Sequence, residues 1–264
     1  MRSVRGKRLG FVPTMGALHE GHLSLVRAAR RDSDVVAASI FVNPTQFGPN
    51  EDLAKYPRSY DRDCQLLERE GVDVLFAPSD AEIYPGGAAT WVTVEGLSEK
   101  LDGRSRPGHF RGVTTVVSKL FHIVDPDQAF FGQKDAAQVA VIRRMVRDLD
   151  FAVEIVVCPI VREADGLAMS SRNAYLNSEE RKQALVLYRA LARVRQSIEA
   201  GETDSSKLRA TAREEFRKES LVRVDYMEIV DASTLDALPE ASPGALVAVA
   251  AYVGATRLID NFVV

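Results

Sequence analysis

Cysteine is nearly absent from this sequence: Cys64 and Cys158 are the only two in 264 residues, far apart and in no C-x-x-C pair. Reduced thiols in a cytosolic protein are the expectation that follows. Long apolar runs are missing as well. None approaches the roughly 20 residues that a membrane-spanning helix needs. The opening Met1-Arg2-Ser3-Val4-Arg5 is basic but lacks the apolar core of a signal peptide, so a cytoplasmic protein with no membrane partner is expected. A basic surplus, the usual mark of a nucleic-acid binder, is lacking too: 34 Lys and Arg stand against 37 Asp and Glu, a formal net charge of −3. There is no internal repeat, no low-complexity tract and no G-x-S-x-G nucleophile motif. What remains is ordinary globular composition, 46% hydrophobic and 27% charged. It is enough to bury a core, at a length that suits one large domain plus a small one.

The first two thirds of the chain alternate strand-like and helical runs. Residues 9–13 form a short apolar run ending in Pro, and residues 23–31 carry Leu23, Val26 and Ala29 at helical spacing. Residues 35–42 are a continuous run of β-branched and small residues, as in a buried parallel strand. A helix at 61–70 stopped by Gly71, a strand at 72–76, helices at 112–124 and 136–149 around a short strand at 128–131, and a strand at 153–158 complete the series. Such alternation predicts an α/β fold: βαβ units in a parallel sheet, helices on both faces, right-handed crossovers. Residues 77–108, with several Gly and Pro, read as an irregular excursion that includes Trp91. After about Val161 the pattern changes. One helix is predicted over 178–200, where Leu187, Leu191, Val194 and Ile198 make a single apolar stripe. Asn177 or Ser178 caps its start and Gly201 ends it. A second helix at 205–218 and strands at 222–230, 245–252 and 257–262 suggest a smaller α+β C-terminal domain. The boundary falls within 159–165, giving domains 1–160 and 161–264.

Four stretches carry the chemistry-bearing residues. The first is Pro13-Thr14-Met15-Gly16-Ala17-Leu18-His19-Glu20-Gly21-His22, between the first strand and the first helix. A helix start offers unpaired N–H groups and a positive dipole end, which suit phosphate. Gly16 and Gly21 allow close approach. His19 and His22, three apart, point the same way and can donate to phosphate oxygens or, protonated, neutralise charge developing on an α-phosphate. A His-x-x-His pair also suits a metal, but the further ligands that zinc needs are not nearby. The second is Phe41-Val42-Asn43-Pro44-Thr45-Gln46-Phe47, at the carboxyl end of the second strand, the edge where open α/β sheets bind ligands. Asn43 and Gln46 bring neutral amides suited to hydroxyls and a carboxylate. The third is Gly132-Gln133-Lys134-Asp135, again at a strand's carboxyl end. Lys134 suits a phosphate, Asp135 a ribose hydroxyl or a helix cap, and Gln138, on the next helical turn, either the cleft or solvent. The fourth is Asp165-Gly166-Leu167-Ala168-Met169-Ser170-Ser171-Arg172-Asn173, a donor cluster for β- and γ-phosphates on what reads as a mobile loop. A fifth stretch, residues 104–112, packs Arg104, Arg106, His109 and Arg111 together and suits an anionic substrate or a solvated loop. Asp61 and Asp63 read as an exposed helix face rather than as magnesium ligands.

Taken together and in this order, these motifs resemble the pantothenate synthetase (pantoate–β-alanine ligase) family from about Leu9 to the closing Thr256-Arg257-Leu258-Ile259-Asp260-Asn261. His19-Glu20-Gly21-His22 is similar to the HIGH signature of class I aminoacyl-tRNA synthetase-like nucleotidyltransferases, and Met169-Ser170-Ser171-Arg172 to their KMSKS loop. The resemblance implies a Rossmann-type N-terminal domain, a smaller C-terminal domain closing over ATP, and a homodimer. It implies a ligase that uses Mg2+-bound ATP, with no tightly bound organic cofactor and no firmly assigned metal site. Pantoate would first become pantoyl-adenylate with release of pyrophosphate, and β-alanine would then displace AMP. By match to the family's motif, Met15, Gly16, Ala17, Leu18, His19, Glu20, Gly21 and His22 line the ATP site. His22 takes the proton-donor position and His19 the phosphate contact beside it. Gln46 holds pantoate near β-alanine, with Asn43 and Arg106 in the same substrate group, and Gln138 holds a pantoate hydroxyl. Gly132, Gln133, Lys134 and Asp135 contact ribose and phosphates, Val161 meets adenine through its backbone, and Met169, Ser170, Ser171 and Arg172 close on the triphosphate.

Two departures stand out. The family usually carries an extra helix and lead-in ahead of the first strand, so either a trimmed start or a sheet short of one covering element is expected. Ala136 and Ala137 replace bulkier residues, which loosens the pocket beside Gln138. Adenylation also makes chemical sense, because a carboxylate is a poor electrophile until it is joined to a good leaving group. Holding acid, ATP and amine in line then supplies much of the rate. A nucleotidyltransferase acting on a different acid or a phosphate substrate, a tRNA synthetase and a nucleotide sensor without turnover remain as rival readings. The neutral amides disfavour the first, length and charge the second, and the pyrophosphate-directed donors the third.

Overall fold

The computed structural model describes residues 6–49 and 51–264; the basic Met1–Arg5 stretch considered above lies outside them. Two compact units divide the chain, Met1–Gln133 with Val141–Pro159, and Lys134–Ala140 with Ile160–Val264.

The first unit is built on β1 (Leu9–Thr14), α1 (Glu20–Asp32), β2 (Val35–Ile40), α2 (Tyr60–Arg69) and β3 (Val74–Phe76). The one-turn helices α3 (Asp80–Ile83) and α4 (Asp102–Ser105) follow, then α5 (His109–Val124), β4 (Gln128–Gly132), α6 (Ala136–Asp148), whose first residues up to Ala140 belong to the second unit, and β5 (Glu154–Cys158). The strands form one parallel sheet in the order β3-β2-β1-β4-β5, with helices on both faces. The β-branched and small residues of β2 belong here because both faces are covered. Val36, Ala37 and Ala38 are fully buried, as are Phe11 and Val12 of β1 and Phe130 of β4. Val12, Val36, Ala38 and Phe130 pack with Val26 and Ala29 of α1 and Leu67 of α2, while α5 lies against β1. Each large side chain buried this way contributes roughly 1.5–3 kcal/mol. The excursion expected over 77–108 contains only the two one-turn helices and a single 3-10 turn, and Trp91 joins no strand. The chain runs β1, β2, β3 to one side and then returns to place β4 on the other side of β1. The crevice beyond the carboxyl ends of β1 and β4 is therefore the point where strand order reverses.

The second unit holds α7 (Ser178–Ala184), α8 (Val186–Glu199), α9 (Ser205–Phe216), β6 (Val222–Asp231), β7 (Ala245–Val253) and β8 (Thr256–Val263). The three strands are antiparallel in the order β6-β7-β8. Leu187, Leu191 and Val194 of α8 and Leu208, Ala212 and Phe216 of α9 pack with Ile229, Val247, Val249, Leu258 and Phe262 of the sheet. The single helix expected over 178–200 is two helices broken at Leu185, which closes α7 and opens α8. The Leu185 N–H bonds to the Lys182 carbonyl, three residues back, while its φ −60 and ψ −15 stay helical. The caps follow the sequence signals. Asn177 accepts from Glu179 and Glu180 N–H while Glu180 reaches back to its N–H, and Gly201 ends α8 with φ +97. Among the described residues no helix is long and apolar enough to cross a membrane.

Candidate active site

Thr14 closes β1 by donating its hydroxyl to the Ser39 carbonyl at 2.7 Å and accepting the Gly16 N–H at 3.2 Å. The chain then turns sharply. Gly16 has φ +77 and Ala17 φ +52, and a left-handed non-glycine residue costs roughly 1–2 kcal/mol. The compensation comes from α2. Asp63 is 1% exposed and its two carboxylate oxygens accept the Ala17 N–H at 2.8 Å and the Leu18 N–H at 2.9 Å. Its helix is not exposed at this position, contrary to the sequence reading. Asp63 lies four residues before buried Leu67 and so on the inward stripe, a signal the periodicity did contain. Asp63→Asn keeps the shape but turns an amide N–H2 toward one of the two backbone donors. The variant is expected to lose about 1–3 kcal/mol of stability. Urea unfolding checks it, and an unchanged midpoint would show that the turn does not need both carboxylate oxygens.

The two histidines form the cap of α1. His19 is the N-cap residue and its Nδ1 accepts the Gly21 N–H at 3.2 Å, while the Nδ1 of His22 accepts the His19 N–H at 3.3 Å. The ring centroids are 4.1 Å apart, which agrees with the shared direction expected from their spacing. With each Nδ1 taking a backbone hydrogen, the neutral rings carry their proton on Nε2. The result is two N–H donors on rigid rings at a helix start. Glu20, at the first helical position, pairs with Arg27.

Gln46 sits in a knot of polar contacts beside this turn. Its Nε2 donates to Met15 Sδ at 2.8 Å, and its Oε1 accepts from Asn43 Nδ2 at 3.1 Å. Asn43 is 1% exposed and fully engaged. It also donates to the Gly112 carbonyl at 3.0 Å and accepts from Thr45 and from Tyr84 Oη at 2.8 Å. Gly112 is needed where α5 meets this turn, since a Cβ there would lie 2.5 Å from the Thr45 carbonyl oxygen. Arg106, expected to meet an anionic substrate, grips Glu51 through two bonds of 2.8 and 2.6 Å. Burial pushes the Glu51 carboxyl up, but the Arg106 hydrogen bonds and charge outweigh it and hold it below its usual range. Arg106 also donates to His109 Nε2 at 3.0 Å, and His109 Nδ1 donates to the Gln46 carbonyl at 2.8 Å. Within this unit the structure therefore brings Met15, Asn43, Gln46 and Arg106 together. Asn43 and Arg106 are internal struts that hold Gln46, and Tyr84 is a member that no sequence motif announced. Gly132 ends β4 and has open space where a Cβ would be.

In the second unit Lys134 is largely covered, with its Nζ 3.4 Å from Asp135 Oδ1 and its carbonyl accepting from Asn261 Nδ2 at 2.8 Å. Gln138 is half-buried on the first turn of α6, between buried Ala137 and Val139. The Val161 carbonyl accepts the Met169 N–H at 2.9 Å, and Arg162 pairs with Ala168. These bonds close a small hairpin at Gly166, whose φ is +100 and where a Cβ would lie 2.4 Å from the Tyr188 ring. Ser170 then caps a 3-10 turn, Ser171–Tyr175. Contacts run along the stretch expected as a loop: Asn173 donates to Glu163 and to the Ala168 carbonyl, and Arg181 ties Glu163 and Asp165. The Arg181 hydrogen bond holds the Asp165 carboxyl below its usual range.

A parallel sheet that reverses strand order beside a His-capped helix start defines a Rossmann-type α/β protein. The family model for pantoate-beta-alanine ligase matches residues 1–263, and the chain belongs to that enzyme family. It is 67% identical over 255 residues to a pantothenate synthetase of Acidobacterium capsulatum, covering 97% of this chain and 85% of the relative. A Koribacter versatilis relative of the same name is 63% identical over 258 residues, with 98% and 89% covered. A Thermus thermophilus pantothenate synthetase structure superposes with a TM-score of 0.96 at 50% identity, covering 99% of this chain and 95% of that one. A Francisella tularensis pantoate-beta-alanine ligase, complexed with beta-gamma ATP and beta-alanine, superposes with a TM-score of 0.79 at 36% identity, with 98% and 91% covered.

Proposed function

We propose that the chain joins (R)-pantoate to β-alanine with ATP through a pantoyl-adenylate, releasing pyrophosphate and then AMP. The observation that carries this reading is the pairing, in one unit, of two fixed Nε2–H donors at the start of α1 with a Gln46 amide braced against Met15. The first meets an α-phosphate and the second a hydroxy acid. The Francisella tularensis relative is complexed with beta-gamma ATP and beta-alanine, which supports ATP and β-alanine as substrates here.

In the first half-reaction a pantoate carboxylate oxygen attacks the α-phosphorus, and the bond to the bridging oxygen of pyrophosphate breaks. His22 donates from Nε2 to the phosphate oxygen that gains charge, and His19 holds its neighbour. Lys134, Ser170, Ser171 and Arg172 grip the phosphates that leave. Residues 132–135 hold the ribose, Val161 the adenine, and Gln138 with Gln46 the pantoate hydroxyl and carboxylate. In the second half-reaction the β-alanine amine attacks the acyl carbon, the bond to AMP breaks, and the amine loses a proton as the amide forms. Residues 1–160 act as the nucleotide- and pantoate-binding domain, and residues 161–264 bring the Ser-Ser-Arg turn. Magnesium would enter with ATP and supply neutralisation of phosphate charge. Among the described residues no three His, Cys, Asp or Glu converge into a metal cage, and the Asp63 carboxylate already serves the turn.

The expected result is AMP formation that needs all three substrates, with pyrophosphate released from ATP when pantoate alone is added. A coupled assay with each substrate omitted in turn checks it. Pyrophosphate release independent of pantoate, or a dinucleotide product in place of AMP, would overturn the reading.

A further inference from the structure

The closing segment that shares in the family resemblance has entered the site only through the Asn261–Lys134 hydrogen bond, yet its residues are among the most buried polar groups of the second unit. Asp260 is 2% exposed and Asn261 3%. They are neighbours on β8 and so point to opposite faces. Asp260 lies on the face of Leu258 and Phe262, which pack into the helical core. There it takes Arg162 in two bonds of 2.6 and 2.9 Å. The same guanidinium donates to the Gly166 carbonyl at 3.0 Å, so Asp260 holds the hairpin that leads into the Ser-Ser-Arg turn. Asn261 emerges on the other face and donates Nδ2 to the Lys134 carbonyl at 2.8 Å, across 127 residues of sequence. Asp260 Oδ1 also accepts the Asn261 N–H at 2.8 Å, which couples the two anchors.

We infer that Asn261 is a positioning residue for nucleotide binding: its amide fixes the backbone from which Lys134 reaches the phosphates, while Asp260 ties the same strand to the hairpin ahead of Ser170. The inference rests on the reading of Lys134 as a phosphate contact. A buried amide on a strand core is a rigid support, and a lysine with four rotatable bonds needs its origin fixed if its ammonium is to meet a phosphate repeatedly. β8 pairs with β7 along its whole length, from Thr256 against Val253 to Val263 against Leu246. The anchor is thus part of a sheet, whereas the loop it holds is not.

The test is a double-mutant cycle in the full chain, read as the KM for ATP at saturating pantoate and β-alanine. Asn261→Ala is expected to raise that KM about tenfold, to leave the KM for β-alanine within about twofold, and to add less than about twofold once Lys134→Ala is already present. A residue that merely supports the fold would instead lower stability and shift all three substrates together, with an effect that multiplies that of Lys134→Ala. Asn261→Ser, whose hydroxyl is too short to reach the Lys134 carbonyl, takes the place of the alanine variant should that fail to fold. If Lys134→Ala leaves the KM for ATP unchanged, the phosphate reading of Lys134 fails and the inference falls with it. If Lys134→Ala raises it and Asn261→Ala either does nothing or multiplies it fully, the phosphate reading stands and the inference alone is overturned.

Discussion

Replacing His22 is expected to lower the rate of adenylate formation about 100- to 10,000-fold, the range for losing a positioned proton donor, with the KM for ATP changed only a few-fold. Two roles must be kept apart, because the same ring supplies Nδ1 to the His19 N–H in the cap of α1. Alanine removes both roles and adds a loss of about 1 kcal/mol in stability. An asparagine at this position would place its Oδ1 near that of the lost Nδ1, and so keep the cap while deleting Nε2. His22→Asn is therefore expected to match His22→Ala in rate and wild type in stability. Single-turnover pyrophosphate release and urea unfolding measure the two quantities separately. A His22→Asn enzyme with wild-type turnover would show that Nε2 has no part in the chemistry.

Acid should destabilise the first unit through His109. Burial, and then the charge of neighbouring Arg106, push its imidazole down to about 4. The hydrogen bond to the Gln46 carbonyl and the charges of Asp102 and Glu51 oppose this without overcoming it. In the unfolded chain the ring titrates near 6.5. The folded value is depressed, so the contribution is fully present above about 6.5. Between about 6.5 and 4 the unfolded chain takes a proton that the folded chain refuses, and stability falls as pH falls. Below about 4 both states are protonated and this group adds no further loss. The full effect is of order 3 kcal/mol. It acts where it matters, since a protonated His109 would present a hydrogen to the Arg106 guanidinium and push the Gln46 support apart. His109→Gln does not titrate and is expected to flatten this window. Unfolding midpoints from pH 7 to 4 for both proteins check it, and parallel curves would exclude His109 as the cause.

Most of the strand and helix positions were readable because each rests on a local signal. Val36, Ala37 and Ala38 are apolar in succession because both faces of the sheet are covered, and the stripe at Leu187, Leu191 and Val194 marks the buried side of α8. The break at Leu185 was not readable, because no Gly or Pro marks it and its backbone stays helical. The site divides in the same way. The glycine-bearing turn and the His-x-x-His spacing are contiguous in sequence. Their supports are not: Asp63 reaches Ala17 over 46 residues, Tyr84 reaches Asn43 over 41, and Asn261 reaches Lys134 over 127.

By itself the sequence determined the alternation of elements, the sites of the caps and the polar side chains at the strand ends, since all of these depend on neighbours within a few residues. Tertiary structure decided which partner each polar group meets. It made Asn43 and Arg106 internal struts, turned Asp63 inward, and engaged the Nδ1 of both histidines in the cap of α1. The physical reason is that a polar side chain's role depends on which partner meets it on burial, and that partner is chosen by the packing of distant segments.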